Sequence, residues 1–409
     1  MKKSIFKRTI PTLALAATMM VSNVGMNSVI AADVAVMGEP DQRSIKTAED
    51  NAEDYGGFEG KIIILQTNDS HGNIEDFKYV KSLENYFTSK GAVVLTVDCG
   101  DYTQCKKDKS NEIDYVEESE GISALKVMEA AGYDVIALGN HEFDYPYKDK
   151  TGRNLLQERL NTVKIDALCA NIVEQKDKEA ELLINHNCVK TVKVPDTDQS
   201  VNIGFFGVDT GETKEHGKKE YVADLTVYTN NDLVKCAKRE IDDLRNTGDE
   251  LDETPNATAD IVICLAHLGV NTDRMGKDSS ILLYNGIKDK VDLILDGNSH
   301  TVMTSGNDGE RIMSTGIKLA NIGVVVIDPK KDNKPSIIDR FLIPNKYFRE
   351  LEEDKDTVKV IKAAKNKEFD SLDPNYEGKK ESSSQKNNKV TNRNGKNNNG
   401  NKGKSNKRR

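Results

Sequence analysis

Five short apolar runs in this chain stop abruptly at groups that bind metals or move protons. Ile62-Ile63-Ile64-Leu65 runs into Asn68-Asp69-Ser70-His71-Gly72, and Ala92 to Val97 ends at Asp98-Cys99-Gly100-Asp101. Val135 to Leu138 ends at Gly139-Asn140-His141-Glu142-Phe143-Asp144. Ala259 to Ala266 delivers His267-Leu268-Gly269, and Val291 to Leu295 delivers Asp296-Gly297-Asn298-Ser299-His300-Thr301. Continuous apolar runs this short have the pattern of strands buried on both faces. Helical spacing separates them, over residues 77–90, 121–131, 155–163, 232–244 and 279–288. That alternation predicts an α/β fold, in which ligands bind outside the carboxyl ends of the strands.

The side chains at those ends narrow the chemistry. The chain has six histidines, and four of them stand at strand ends; His186 and His216 are the exceptions. One such histidine is compatible with a polar turn and a satisfied ring. Four are hard to explain by packing. Asp69 and His71 are two residues apart and share a side in extended backbone. His141 can move a proton, and Asp144 is close enough in sequence to orient its ring. The donors are imidazole, carboxylate and amide, which suits Mn, Fe, Co, Zn or Ni better than a soft-metal site. Asp69, His71, Asp101, Asn140, His267, Asn298 and His300 are more candidates than one tetrahedral cation can use. Two cations sharing a carboxylate would account for them, and two-metal sites serve phosphoester hydrolysis.

Charge and composition divide the rest of the chain. The 409 residues carry a net charge of −9. Residues 379–409 carry +10, so the remainder is strongly acidic, which argues against a nucleic-acid-binding domain. Residues 1–32 read as an export signal. Lys2, Lys3, Lys7 and Arg8 precede an apolar stretch from Ile10 to Val21, then small residues at Ala31 and Ala32. That stretch is too short for a membrane span and carries Pro11. Residues 33–60 read as an acidic linker outside any core, with order beginning at Lys61. Residues 346–378 read as a charged helix, about 351–369, and a linker. Residues 379–409 are rich in Asn and Lys and read as disordered. This tail has the charge to hold an anionic surface polymer, but no interleaved aromatic residues for nucleic acid. The six cysteines show no metal-ribbon spacing and read as free, mostly buried thiols.

The ordered set of motifs resembles the secreted 5′-nucleotidases. That family also holds UDP-sugar hydrolases and 2′,3′-cyclic-nucleotide phosphodiesterases, within the calcineurin-like metallophosphoesterases. Asn68 to Gly72, Gly100-Asp101, Gly139 to Asp144, Ala170-Asn171-Ile172, Ala266 to Gly269 and Asp296 to Thr301 carry the likeness, over about residues 61–345. The resemblance implies a four-layer sandwich, two packed β-sheets flanked by helices. It also implies a secreted hydrolase of nucleotide phosphate esters with two divalent cations such as Mn, Zn, Co or Fe. Asp69, His71 and His300 would hold the first cation, Asp101 would bridge, and Asn140 and His267 would hold the second. A metal-bound hydroxide would attack phosphorus in line. His141, oriented by Asp144, would serve the scissile phosphate.

Two departures from the family stand out. Relatives carry histidine where Asn298 stands, and an amide oxygen is a weaker ligand for such metals. The nucleoside-gripping residues of the relatives' C-terminal domain are not visible, and the chain has no Trp for base stacking. These departures sustain alternatives: a non-catalytic or single-metal surface-binding protein on the same shell, or a cyclic-nucleotide phosphodiesterase.

Overall fold

The computed structural model describes residues 39–104, 114–176, 179–195, 197, 199–245, 258–270, 278–331 and 334–369. The expected export signal and basic tail lie outside the described residues. In chain order the strands are β1 (Ile62–Thr67), β2 (Val93–Asp98), β3 (Val135–Ala137), β4 (Asp166–Leu168) and β5 (Ile172–Lys176). There follow β6 (Glu179–Leu182), β7 (Asn187–Lys193), β8 (Ser200–Asp209), β9 (Leu225–Val227) and β10 (Ile261–His267). The last are β11 (Leu293–Asp296), β12 (Val302–Met303), β13 (Ile312–Thr315), β14 (Asn321–Asp328) and β15 (Ser336–Pro344).

They form two six-stranded sheets, ordered β15-β14-β1-β2-β3-β4 and β12-β13-β11-β10-β8-β7, and a small sheet, β6-β5-β9. The strands β1 to β4 run parallel, as do β8, β10, β11 and β13. Alternation along each strand builds the layers, because successive side chains point to opposite faces. Ile62 and Ile64 of β1 face Ile203, Phe205, Ile263 and Leu295 across the middle of the sandwich. Ile63 and Leu65 turn outward, into the core with Phe77, Val80 and Leu83 of the helix Phe77–Ser89. On the far side Phe206, Val262 and Ile294 meet Leu233, Ala237 and Ile241 of the helix Asn230–Leu244. The result is the expected arrangement of helix, sheet, sheet and helix.

Three expectations need correction. First, residues 39–60 belong to the core. Ser44 caps the helix Ile45–Ala52, and Ala48, Ala52 and Phe58 are buried. The Phe58 ring packs edge-on against Phe87 at 4.9 Å. Arg43 grips Asp339 with two hydrogen bonds (2.6 and 3.0 Å) and lies 4.3 Å over the Phe341 ring. The acidic composition hid a few apolar residues with helical spacing. Second, the run from Ile165 to Ile172, whose apolar sequence predicts one strand, is not one strand. The chain leaves β4 at Cys169, where Ala170 N–H donates to Gly207 O (2.8 Å) and Asn171 binds both backbone groups of Asp209, and it enters the small sheet as β5. Third, the late helix is shorter, Lys355–Lys365, because Asp354 caps it by accepting from Thr357 N–H. The described cysteines are free thiols; Cys99, Cys169, Cys236 and Cys264 are buried and Cys188 is partly so.

A chain beginning at Lys61 is therefore expected to be less stable than one beginning at Asp33, by about 3 kcal/mol or more. That figure combines burial of a ring of the size of Phe58 with loss of a partly buried bidentate pair. Urea melts of the two chains check it.

Candidate active site

The parallel strands of both sheets end on the same side of the molecule, and the predicted groups meet there. Asp69 and His71 follow β1, Asp101 follows β2, and Asn140 and His141 lie in the 3-10 turn Asn140–Asp144 after β3. His267 ends β10, and Asn298 and His300 follow β11. Asp69, Asp101 and His267 are almost wholly buried, whereas the His300 side chain is 41% exposed and marks the mouth.

The donor atoms form two overlapping groups. In one, His71 Nε2 is 3.0 Å from His300 Nε2 and 3.7 Å from Asp69 Oδ1, and His300 Nε2 is 3.5 Å from Asp69 Oδ1. Ligand bonds of about 2.0–2.2 Å place neighbouring donors about 3.0–3.6 Å apart, so the spacing matches one cation. In the other, His267 Nε2 is 3.2 Å from Asp101 Oδ2 and 4.0 Å from Asp69 Oδ1. Asp101 Oδ2 also lies 3.9 Å from His71 Nδ1 and 3.9 Å from His141 Nε2, which puts it between the groups.

Unpartnered atoms supply an independent test. Asp69 Oδ1, His71 Nδ1, Asn140 Oδ1 and His267 Nε2 are buried without a hydrogen-bond partner. Buried polar atoms rarely stay unpaired, and a cluster of them on metal-binding side chains is what a cation would satisfy. His267 Nδ1 lies 2.7 Å from Cys99 O, which selects the tautomer that leaves Nε2 to point at Asp101. His141 differs. Its Nδ1 is tied to Asp144 Oδ2 at 2.7 Å, so only Nε2 faces the centre.

The cation-free centre is electrostatically loaded. Burial pushes His71 down to about 4, against the pull of Asp101 and Asp69. Burial also opposes charge on His141, but Asp101 and Asp144 outweigh it and raise the ring to about 9. His267 is raised by Asp101 against the same burial penalty, and burial of Asp101 is outweighed by His267 and His141, which hold it well below the carboxylate range.

The loops that carry these groups are bent into an uncommon shape. Asp69 (φ 52°), His71 (48°), Asp101 (57°), Asn298 (69°) and His300 (54°) all adopt left-handed backbone. Asp, Asn and His tolerate that region better than most residues, and such strain gathers at functional sites. Gly139 has no room for a side chain: a Cβ there would sit 2.4 Å from Asp101 Oδ1 and 2.9 Å from His267 Cδ2.

Some supporting groups were not singled out from the sequence. Asn68 takes Thr315 N–H and Thr315 Oγ1 on its oxygen and donates to Asp69 Oδ2 at 2.7 Å. Asp296 accepts Leu268 and Gly269 N–H, fixing the turn after His267. Glu142 accepts three backbone N–H groups, and its position three after Gly139 is the spacing of a capping box. Asn298 places its backbone N–H on Asp69 Oδ2 (2.9 Å) and its amide nitrogen 3.4 Å from Leu268 O.

The comparisons agree with this geometry. The calcineurin-like phosphoesterase profile matches residues 62–301, more than half of the chain. The chain belongs to the calcineurin-like phosphoesterase family. A 2′,3′-cyclic-nucleotide 2′-phosphodiesterase/3′-nucleotidase of Salmonella typhimurium is 26% identical over 267 residues, 58% of this chain and 36% of that protein. A 5′-nucleotidase of Vibrio vulnificus is 26% identical over 220 residues, 51% of this chain and 34% of that protein. The chain thus spans about a third of the length of these curated relatives. Among solved structures, the calcineurin-like phosphoesterase YfkN from Bacillus subtilis superposes with a TM-score of 0.58 at 16% identity, covering 76% of this chain and 98% of that one. Members of this family are metal-dependent phosphoesterases.

His186, Glu240 and Asp243 form a further group of possible metal ligands. Here the donors are already paired. Glu240 is fully buried and takes His186 Nδ1 (2.5 Å), Asn187 Nδ2 (2.9 Å) and Arg239 Nη2 (3.0 Å). It is an ion-pair network. The hydrogen bond His186 donates to Glu240 raises the histidine above 6.5; burial opposes a charged Glu240, but His186 outweighs it and lowers the acid below 4.5. A raised histidine stabilises fully below its unfolded pKa and loses that effect as pH rises through its folded value. A lowered acid stabilises above its unfolded pKa and loses the effect as pH falls. His186→Gln is therefore expected to destabilise most between about pH 4.5 and 6.5, and much less at pH 9. Urea melts across that range check the sign.

Proposed function

We propose that this chain hydrolyses nucleotide phosphate esters with two divalent cations, as a 5′-nucleotidase-like enzyme. The observation that carries the reading is the convergence of seven sequence-selected groups, with unpartnered buried donor atoms, at the ends of five strands. Asp69, His71 and His300 would hold one cation, Asp101 would bridge, and Asn140, His267 and Asn298 would hold the other. Cations bound there supply Lewis acidity at the phosphate and a water nucleophile near neutral pH. The protein's own groups do the rest. Asp144 fixes the His141 ring so that Nε2 presents a proton towards the centre. With Nδ1 held by Asp144, the Nε2 hydrogen can reach a phosphate or leaving-group oxygen. His300 guards the open side, where an ester enters.

The second set of ligands is the weaker one by donor type. It offers one imidazole and two amides, against two imidazoles and a carboxylate in the first, so its cation is expected to be harder and more exchangeable. The sequence also supports export by residues 1–32 and electrostatic retention on an anionic surface polymer by residues 379–409. Salt should then release the full chain, and a tail-deleted chain that stays bound would refute retention.

Metal content and turnover on AMP, a 2′,3′-cyclic nucleotide and p-nitrophenyl phosphate test the enzymatic reading, with Mn, Zn or Co supplied. Two cations per chain and turnover are expected. Asp101→Asn should lose cation binding, and His141→Gln should keep it while slowing turnover about 10²–10⁴-fold. No turnover on any ester by a fully loaded chain would refute it.

A further inference from the structure

Glu142 stands inside the site but has no part in the roles above. Its side chain is buried, and its two oxygens are taken by backbone groups. Oε2 accepts Gly139 N–H (2.6 Å) and Asp101 N–H (2.9 Å), and Oε1 accepts Thr103 N–H (3.0 Å). Gly139 opens the turn that carries Asn140 and His141. Asp101 and Thr103 belong to the loop after β2. One carboxylate therefore fastens the ends of two neighbouring strands to each other. Two further bonds close the link: His141 N–H donates to Asp101 Oδ1 (2.9 Å), and Thr103 Oγ1 donates to His141 O (3.2 Å).

We propose that Glu142 is a positioning residue that presets Asp101 and the Asn140–His141 turn against each other before any cation arrives. The inference rests on the metallophosphoesterase reading of the site. Asp101 is held in left-handed backbone at φ 57°, a conformation that needs outside support. Three backbone N–H groups from the two loops donate to this one side chain, which ties the loops together more firmly than a single contact could. An amide cannot replace it, because glutamine has one oxygen for three donors spread over both positions, so its NH₂ must face a backbone N–H. Ligands already in place reduce the ordering that a cation must bring about. Groups that orient metal ligands from behind alter affinity about 10–100-fold when lost.

Mn²⁺ titration of the full chain, alongside cation-free melting temperature, tests the proposal. Glu142→Gln is expected to bind Mn²⁺ about 10–100-fold more weakly than the parent chain. Thr357→Val is the reference, since it removes a buried threonine hydroxyl, bonded to Ala130 O and Asp354, that touches neither loop. Glu142→Gln with parental affinity overturns the proposal, as does a loss that Thr357→Val reproduces at equal destabilisation. Amide exchange on the parent chain gives a second reading that needs no variant to fold. Gly139, Asp101 and Thr103 amides should be protected without Mn²⁺; protection that appears only on its addition overturns the proposal. A parent chain that binds no Mn²⁺ at all overturns the metallophosphoesterase reading itself, and this inference with it.

Discussion

Two carboxylates, Asp69 and Asp101, are buried within a few ångströms of each other, and the rest of the site follows from making that tolerable. An isolated buried charge is very costly, so it must be paired, neutralised or bound to metal. Here His71, His267 and His300 surround Asp69, and His71, His141 and His267 approach Asp101. Imidazole is the one side chain that serves in both states. Beside Asp101, His141 and His267 are raised and so carry a proton without a cation, and an imidazole gives a lone pair when one binds. A lysine or arginine in these positions would neutralise the acids permanently and block the centre. The choice of histidine is thus an electrostatic requirement of a site that must exist with and without its metals.

The same requirement explains the fold's use of loops. Side chains can be brought together from five strands only where the strands end, and the ends must curl over one another. The left-handed residues Asp69, His71, Asp101, Asn298 and His300 make that curl, and Gly139 lets the loops approach to contact distance. What holds them is a layer of backbone hydrogen bonds to Asn68, Glu142 and Asp296. Five of the seven candidate ligands sit in left-handed backbone and are held by hydrogen bonds from behind, which is how a rigid scaffold can keep a geometry that its own loops disfavour.

Much of this was legible in the sequence, for definite reasons. Buried parallel strands leave continuous apolar runs, so β1, β2, β3, β10 and β11 were visible, and their ends located the site. The segment at residues 39–60 was missed because its anchoring rests on a few residues, Arg43, Ala48, Ala52 and Phe58, in an otherwise polar stretch. The break between β4 and β5 was missed because Cys169 and Ala170 are apolar while the event that ends the strand is a tertiary one, Asn171 binding Asp209. Glu142 lies within the stretch Gly139 to Asp144, yet its role depends on Asp101 and Thr103, about forty residues away in sequence. Sequence spacing could show that it reaches Gly139, and nothing more.

The position of Asn298 sharpens the contrast between the two ligand sets. Its backbone is firmly placed: the N–H is on Asp69, and φ is 69°, a conformation that asparagine tolerates unusually well. That backbone bond fastens the loop to Asp69 at this point. In the proposed ligand sets an amide oxygen here binds borderline-soft cations less strongly than an imidazole would, while the proposed first set, Asp69, His71 and His300, does not include it. Because Asp101 faces both sets, a loosely held second cation would still be drawn to a carboxylate that the histidines and the Glu142 clamp have already placed. Strength lost in one ligand can then be met in part by order elsewhere, so the consequence of Asn298 is set by how rigid its neighbours are as much as by its own chemistry.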